Sequence, residues 1–162
     1  MGNTPTKSIK QNIESTNESR INAVKAFVAA YNNADIAAIT ALKSPDCIHA
    51  IHPLSLNRPV RNNTEYTEFY NSTVARFFSK FNVEILDLVV GNDAVAMHAR
   101  STGVSVIGDY ENEYSFFFKF DKDGRICHVK EFVDSKVSDA FFTDRLKQFI
   151  VVQEQQKKLE RQ

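Results

Sequence analysis

From Ser19 onward the apolar positions Ile21, Val24, Phe27, Val28 and Tyr31 recur at steps of three and four residues, the spacing of one buried helical face. Asn32-Asn33 ends that run. Asp35 stands where it can cap a second short helix carrying Ile36, Ile39 and Leu42, which Pro45 stops. Residues 47–52 alternate as a strand, 53–61 read as a loop, and a third helix is predicted over about 63–80, carrying Tyr66, Phe69, Tyr70, Phe77 and Phe78. The period then changes to two. Strands are predicted over 83–90, 94–107, 113–120 and 126–134, with Gly91-Asn92-Asp93 and Asp121-Lys122-Asp123-Gly124 as turns built from residues that tolerate positive φ. A last helix from Ser138 carries Phe141, Phe142, Leu146, Phe149 and Ile150 before fading into Gln, Lys and Glu.

Helices first and an antiparallel meander afterwards predict an α+β fold. The expected architecture is a curved antiparallel sheet forming a cone, with three helices from the N-terminal half over a central pocket and a further helix at the C-terminus. Residues 1–18, rich in Asn, Ser, Thr and Lys, read as a disordered polar tail, because they bury too little to offset their ordering entropy. The cone domain is expected over 19–142, and 143–162 as a helical extension.

Composition narrows the function. With 20 basic and 20 acidic residues among 162, the chain has no charge excess to neutralise a phosphate backbone, so nucleic acid is not an expected partner. Cys47 and Cys127 fall in short apolar segments and read as small buried hydrophobes, with no metal site expected. The absence of a long apolar run or a signal-peptide core predicts a soluble, cytoplasmic protein without a membrane partner.

Candidate chemistry clusters on the strand around residues 94–102. Strict alternation puts His98, Arg100 and Thr102 on the face shared with small Ala94 and Ala96, which reads as a polar site inside a pocket. His49, of opposite parity to His52, is expected to point the other way, against the helices or another subunit. Phe117 is expected on the outer sheet face as part of a partner surface, and hence a homodimer.

The run Val24-Lys25-Ala26-Phe27-Val28-Ala29-Ala30-Tyr31-Asn32, then Asp35-Ile36, His52-Pro53, Glu68-Phe69-Tyr70 and the closing segment from Gly124-Arg125-Ile126 to Glu131-Phe132-Val133-Asp134 resemble the SnoaL-like, nuclear transport factor two-like superfamily. The resemblance covers about residues 20–142 and implies the cone fold. It also implies a fungal secondary-metabolism isomerase or cyclase among the superfamily's activities. Compared with ketosteroid isomerase, it places the general base on His52, the oxyanion-hole groups on Phe27 and Phe116, and the buttressing tyrosine on Tyr70. Loss of the enolate-stabilising pair argues against steroid isomerisation. Compared with limonene epoxide hydrolase, Arg100 and Glu131 match an arginine and a carboxylate of the site, while Thr102 stands where that family has a second aspartate.

The resulting candidate site has Glu131 as acid or base, Arg100 as its orienting cation, and His98 or His52 as proton shuttle, with no cofactor. Tyr31, Tyr70 and Tyr114 are candidate hydrogen-bond donors to substrate, and Phe27, Phe69, Phe116, Phe118 and Val129 candidate walls. The bland alternatives are a buried Arg100–Glu131 ion pair and a core His98 bonded to a carbonyl. Two functions follow. One is a cofactor-independent acid/base enzyme that isomerises, cyclises, dehydrates or opens an epoxide in an apolar oxygenated polyketide, terpenoid or alkaloid. The other is a non-catalytic module of the same fold that binds a small molecule or docks a protein.

Overall fold

The computed structural model describes residues 5–161, with side chains from residue 16. Helix α1 spans Pro5–Asn32, α2 Ile36–Ala41 and strand β1 Lys43–His52. A short turn at Leu54–Leu56 leads to α3 (Asn63–Phe69), which passes through a π-helical turn at Tyr70–Val74 into a last α-turn at Ala75–Phe77. Strands β2 (Phe78–Val90), β3 (Ala94–Ser105), β4 (Gly108–Phe120) and β5 (Ile126–Val133) follow. The chain then forms α4 (Ser135–Ser138), a second π-helical segment at Asp139–Arg145, and α5 (Leu146–Leu159).

Local chemistry explains the boundaries. Asn32 closes α1 by clamping β2: its amide donates to the Val83 carbonyl at 2.9 Å and accepts from the Val83 N–H at 2.6 Å. Asp35 caps α2 through the Ala38 N–H, and Asp134 caps α4 through the N–H groups of Lys136 and Val137. Asn62 and Glu65 form a reciprocal capping box at the start of α3. Gly124, at φ +78°, makes the β4–β5 turn in a conformation that L side chains rarely adopt.

The five strands form one curved, unclosed sheet in the order β1-β5-β4-β3-β2. The sheet is mixed rather than wholly antiparallel, because β1 runs parallel to β5 while the other neighbours are antiparallel. A parallel pair needs a long crossover, and the helical α3 region together with the β2–β4 meander provides it. Helix α1 packs its Val24, Phe27 and Val28 against Val95, Met97, Phe116 and Phe118 on the inner face of the sheet.

Two expected boundaries move. The third helix stops at Phe77, because Phe78 and Lys80 pair with Ser105 and Val104 of β3, and phenylalanine is as much at home on a strand as on a helix. The polar segment expected as a tail over 1–18 is helical from Pro5, continuous with α1; residues 1–4 lie outside the described residues.

Candidate active site

The inner face of the sheet is set by β3 and β4, whose burial alternates residue by residue. On β3 the inward set is Val95, Met97, Ala99 and Ser101, and on β4 it is Asn112, Tyr114, Phe116 and Phe118. That phase corrects the reading of His98 and Arg100. Both point outward and are exposed, His98 Nε2 pairing with Glu113 Oε1 at 2.5 Å and Arg100 Nε donating to Glu84 Oε2 at 2.7 Å. Burying a charge costs several kcal/mol, whereas an exposed pair is worth about 0–1 kcal/mol, so the charged set lies on the wet face and the apolar set inside. Thr102 is exposed with them. No Arg100–Glu131 pair forms: Arg100 answers Glu84 directly across the β2–β3 ladder.

Glu131 points inward beside Phe116, its cross-strand neighbour on β4. Its partner is the histidine expected to face away. His49, fully buried on β1, brings Nε2 to 2.7 Å from Glu131 Oε2. The parity argument was correct in separating His49 from His52, but the inward member is His49. His52 lies half-buried at the end of β1, stacked on Phe132 with ring centroids 4.5 Å apart, on the side of the sheet opposite the cavity.

Burial pulls the His49 pKa below its ordinary value, and the Glu131 carboxylate only partly offsets that, so the imidazole is neutral. A neutral ring facing a carboxylate donates through Nε2–H, which assigns the tautomer. Nδ1 is then a bare acceptor, buried and without a hydrogen-bond partner. The backbone holds this ring from the other side. His49 N–H donates to the Arg61 carbonyl at 2.8 Å, and Arg61 N–H returns the bond to His49 at 2.9 Å.

Glu131 opens into a cavity of about 180 Å³ between sheet and helices, with a deeper lobe of about 30 Å³ beneath α1. Tyr31, Tyr66, Tyr114 and Phe81 line both lobes. Phe69 walls the outer lobe, and Phe27 and Phe116 the inner one. Three candidates lie elsewhere. Phe118 and Val129 are completely buried in the core below the cavity floor. Tyr70 meets Tyr31 edge-on at 5.3 Å and borders a separate cavity of about 270 Å³.

The tyrosine hydroxyls form the polar part of the wall. Burial raises the pKa values of Tyr31, Tyr66 and Tyr114 well above the ordinary phenol, and the Glu131 charge adds to the effect, so all three stay protonated as donors. Tyr114 hydroxyl lies 2.9 Å from Ser101 Oγ and donates at 3.4 Å to the Tyr110 hydroxyl, to which Asn112 also donates at 2.6 Å. Behind Tyr66 sits Lys43, its ammonium 4.0 Å from the ring centroid, with burial lowering its pKa to about 8. Among the described residues no three His, Cys, Asp or Glu side chains gather at metal-binding spacing.

Sequence reading missed His49, Tyr66, Tyr110, Arg58 and Arg61 as site residues. For His49 period two separates it from His52 but does not choose between them, since Cys47 and Ile51 flank His49 on one face and Ile48 and Ala50 precede His52 on the other. Arg58 and Arg61 come from an irregular segment, where no periodicity announces direction.

A model of the SnoaL-like domain family matches residues 24–129. Among curated relatives, the austinoid biosynthesis cluster protein F of Aspergillus calidoustus is 29% identical over 129 residues, covering 76% of this chain and 73% of that one. The core atranone cluster protein 11 of Stachybotrys chlorohalonatus is 27% identical over 125 residues, covering 76% and 93%. The crystal structure of the BvnE pinacolase from Penicillium brevicompactum superposes with a TM-score of 0.76 at 24% identity, over 82% of this chain and 93% of that one. PrhC from Penicillium brasilianum superposes with a TM-score of 0.75 at 22% identity, over 85% and 92%. At these identities the structural likeness is one of fold.

Proposed function

The chain belongs to the SnoaL-like domain family, and on that footing we propose that it is a cofactor-independent acid/base enzyme of secondary metabolism acting on an apolar, oxygenated small molecule. The observation that carries the reading is the buried His49–Glu131 pair, aimed into a cavity walled by protonated tyrosines. Kinship with proteins of the austinoid and atranone biosynthesis clusters supports the metabolic setting.

The division of labour follows from the geometry. His49 is a positioning residue: its Nε2–H fixes Glu131 Oε2, and Oε1 has no protein partner among the described residues. Glu131 then takes a proton from a substrate C–H or O–H and returns it at another atom, as an isomerisation or cyclisation requires. As the proton leaves, negative charge builds on the substrate oxygen. Tyr31 and Tyr66 are donors placed to receive it, in a cavity whose low dielectric strengthens each bond, while Tyr114 donates to Tyr110 and orders the wall behind them.

The outer face of the sheet supports a homodimer. Phe117 and Phe132 meet there edge to face at 5.9 Å, and Ile48, Val89 and Val104 are also exposed. The two cysteines are free, in keeping with a cytoplasmic setting, and no described helix is long and apolar enough to cross a membrane.

The test is to incubate a metabolite extract of the source organism with wild type and with E131Q in parallel, followed by liquid chromatography with mass detection. A compound consumed by wild type and spared by folded E131Q is expected, with a product of equal mass for an isomerisation or cyclisation. Equal consumption by both proteins overturns the assignment of Glu131.

A further inference from the structure

The outer lobe of the cavity carries three charged side chains, Arg58, Arg61 and Glu131. With His49 neutral, that is two positive charges against one negative, in a wall otherwise made of aromatic, aliphatic and hydroxyl groups. No carboxylate is hydrogen-bonded to either guanidinium among the described residues. Arg61 makes no ion pair among the described residues; its Nη1 donates to the Pro59 carbonyl at 3.1 Å, and its guanidinium carbon sits over the Phe69 ring, 4.1 Å from the centroid. Arg58 reaches Thr143 Oγ1 at 3.2 Å and a half-exposed Asp139 at a long 3.6 Å.

Both guanidiniums line the same lobe of the cavity. Burial and the charge of Arg58 both lower the Arg61 pKa, with Glu131 and Glu65 as the opposing carboxylates. Two cations facing one half-buried space repel, and an anion bound in that space relieves them. Arginine is suited to that task because its planar fork matches a carboxylate in a bidentate manner. The placement is rigid. Arg61 is tied through its backbone to His49, and the Arg58 side chain is tied to the π-helical segment at 139–145.

We propose that Arg58 and Arg61 form a carboxylate clamp at the cavity mouth, so that the substrate is an apolar carboxylic acid with its anionic end between them and its body against Tyr31, Phe81 and Phe142. This deepens the reading of the cavity as the substrate site and rests on it. The clamp fixes the direction of entry, carboxylate outward and reacting carbon toward Glu131. It also keeps the substrate anion away from the Glu131 carboxylate, which would otherwise repel it.

The test uses binding rather than turnover, with the full chain and two probes of nearly equal shape, 2-naphthoate and methyl 2-naphthoate, titrated calorimetrically at pH 7. Wild type is expected to bind the acid about tenfold or more tightly than the ester, the range set by hydrogen bonds to a charged group. R58Q and R61Q each remove most of that preference, lowering affinity for the acid far more than for the ester, and R61K, which keeps charge but loses the fork, falls between. Circular dichroism confirms that each variant is folded. Equal affinity for acid and ester, no binding of naphthoate by wild type, or a preference that survives both substitutions overturns the clamp. E131Q separates the two ideas: it is expected to bind naphthoate more tightly than wild type, whatever it does to turnover. Loss of turnover in E131Q without an acid preference leaves the acid/base reading standing alone, and an acid preference with E131Q turnover intact leaves only the clamp.

Discussion

Tyr66 lies flat on His49, with ring centroids 4.3 Å apart and planes within 11°, so the imidazole is held in the one orientation that lets Nε2 reach Glu131. The stack links α3 to β1 across the cavity floor. It makes the His49–Glu131 bond a matter of packing as well as of charge, and it has consequences for rate.

If His49 positions Glu131, H49N lowers kcat by about 100-fold with KM little changed, the scale of a misplaced catalytic group. A steady-state assay on the substrate identified by the extract experiment reads it. A purely structural histidine would lower the melting temperature and leave kcat alone.

His49 also sets an acid limit on the fold. Its folded pKa lies below 6.5, so below that pH the unfolded chain takes up a proton that the folded chain resists. Stability therefore falls as pH drops below 6.5, and in urea titrations H49N is expected to show a shallower acid slope than wild type. Parallel slopes would mean that the ring is protonated in the folded state.

Lys43 acts in the opposite range. Its folded pKa is about 8 against 10.5 in the unfolded chain, so between those values the unfolded state binds more protons and this group makes stability rise with pH. The penalty is present in full below pH 8, with an upper bound of about 3 kcal/mol from the shift. K43M is expected to exceed wild type most below pH 8, with the difference shrinking toward pH 10.5. Using the difference matters because Cys47, pushed up to about 11, and the buried tyrosines act the other way in alkali. A gap between K43M and wild type that does not change across the range would place the lysine charge in solvent.

On the outer face, H98A and R100A each change stability by less than about 0.5 kcal/mol, as exposed pairs do, and leave turnover unchanged. A large loss of activity in either would place them in the site after all.

F117D tests the sheet face. Wild type is expected to elute at twice 18.4 kDa by light scattering, and F117D at 18.4 kDa with its circular dichroism unchanged. A wild-type monomer ends the homodimer proposal.

The order of the elements, the cap at Asp35 and the apolar helix positions that carry Tyr31 and Phe69 are legible in the amino-acid sequence, because each depends on local spacing or on a side chain's own hydrogen bond, whereas only the family resemblance assigns Glu131 and Phe116 to the site. What period two leaves open is which face of a strand is wet. On β3 the odd set, Val95, Met97 and Ala99, is the more apolar, and the cost of burying a charge points His98 and Arg100 outward. A pocket expected to be polar reversed that sign. On β1 both faces mix apolar and polar residues, and only the parallel pairing of β1 beside β5 brings His49 against Glu131, 82 residues away in the chain. The same holds for Arg58 and Arg61, whose loop has no period to read. Local sequence determines alternation and caps because neighbouring residues supply their energies; the tertiary structure alone decides which distant partners meet, because that rests on burial shared between strands.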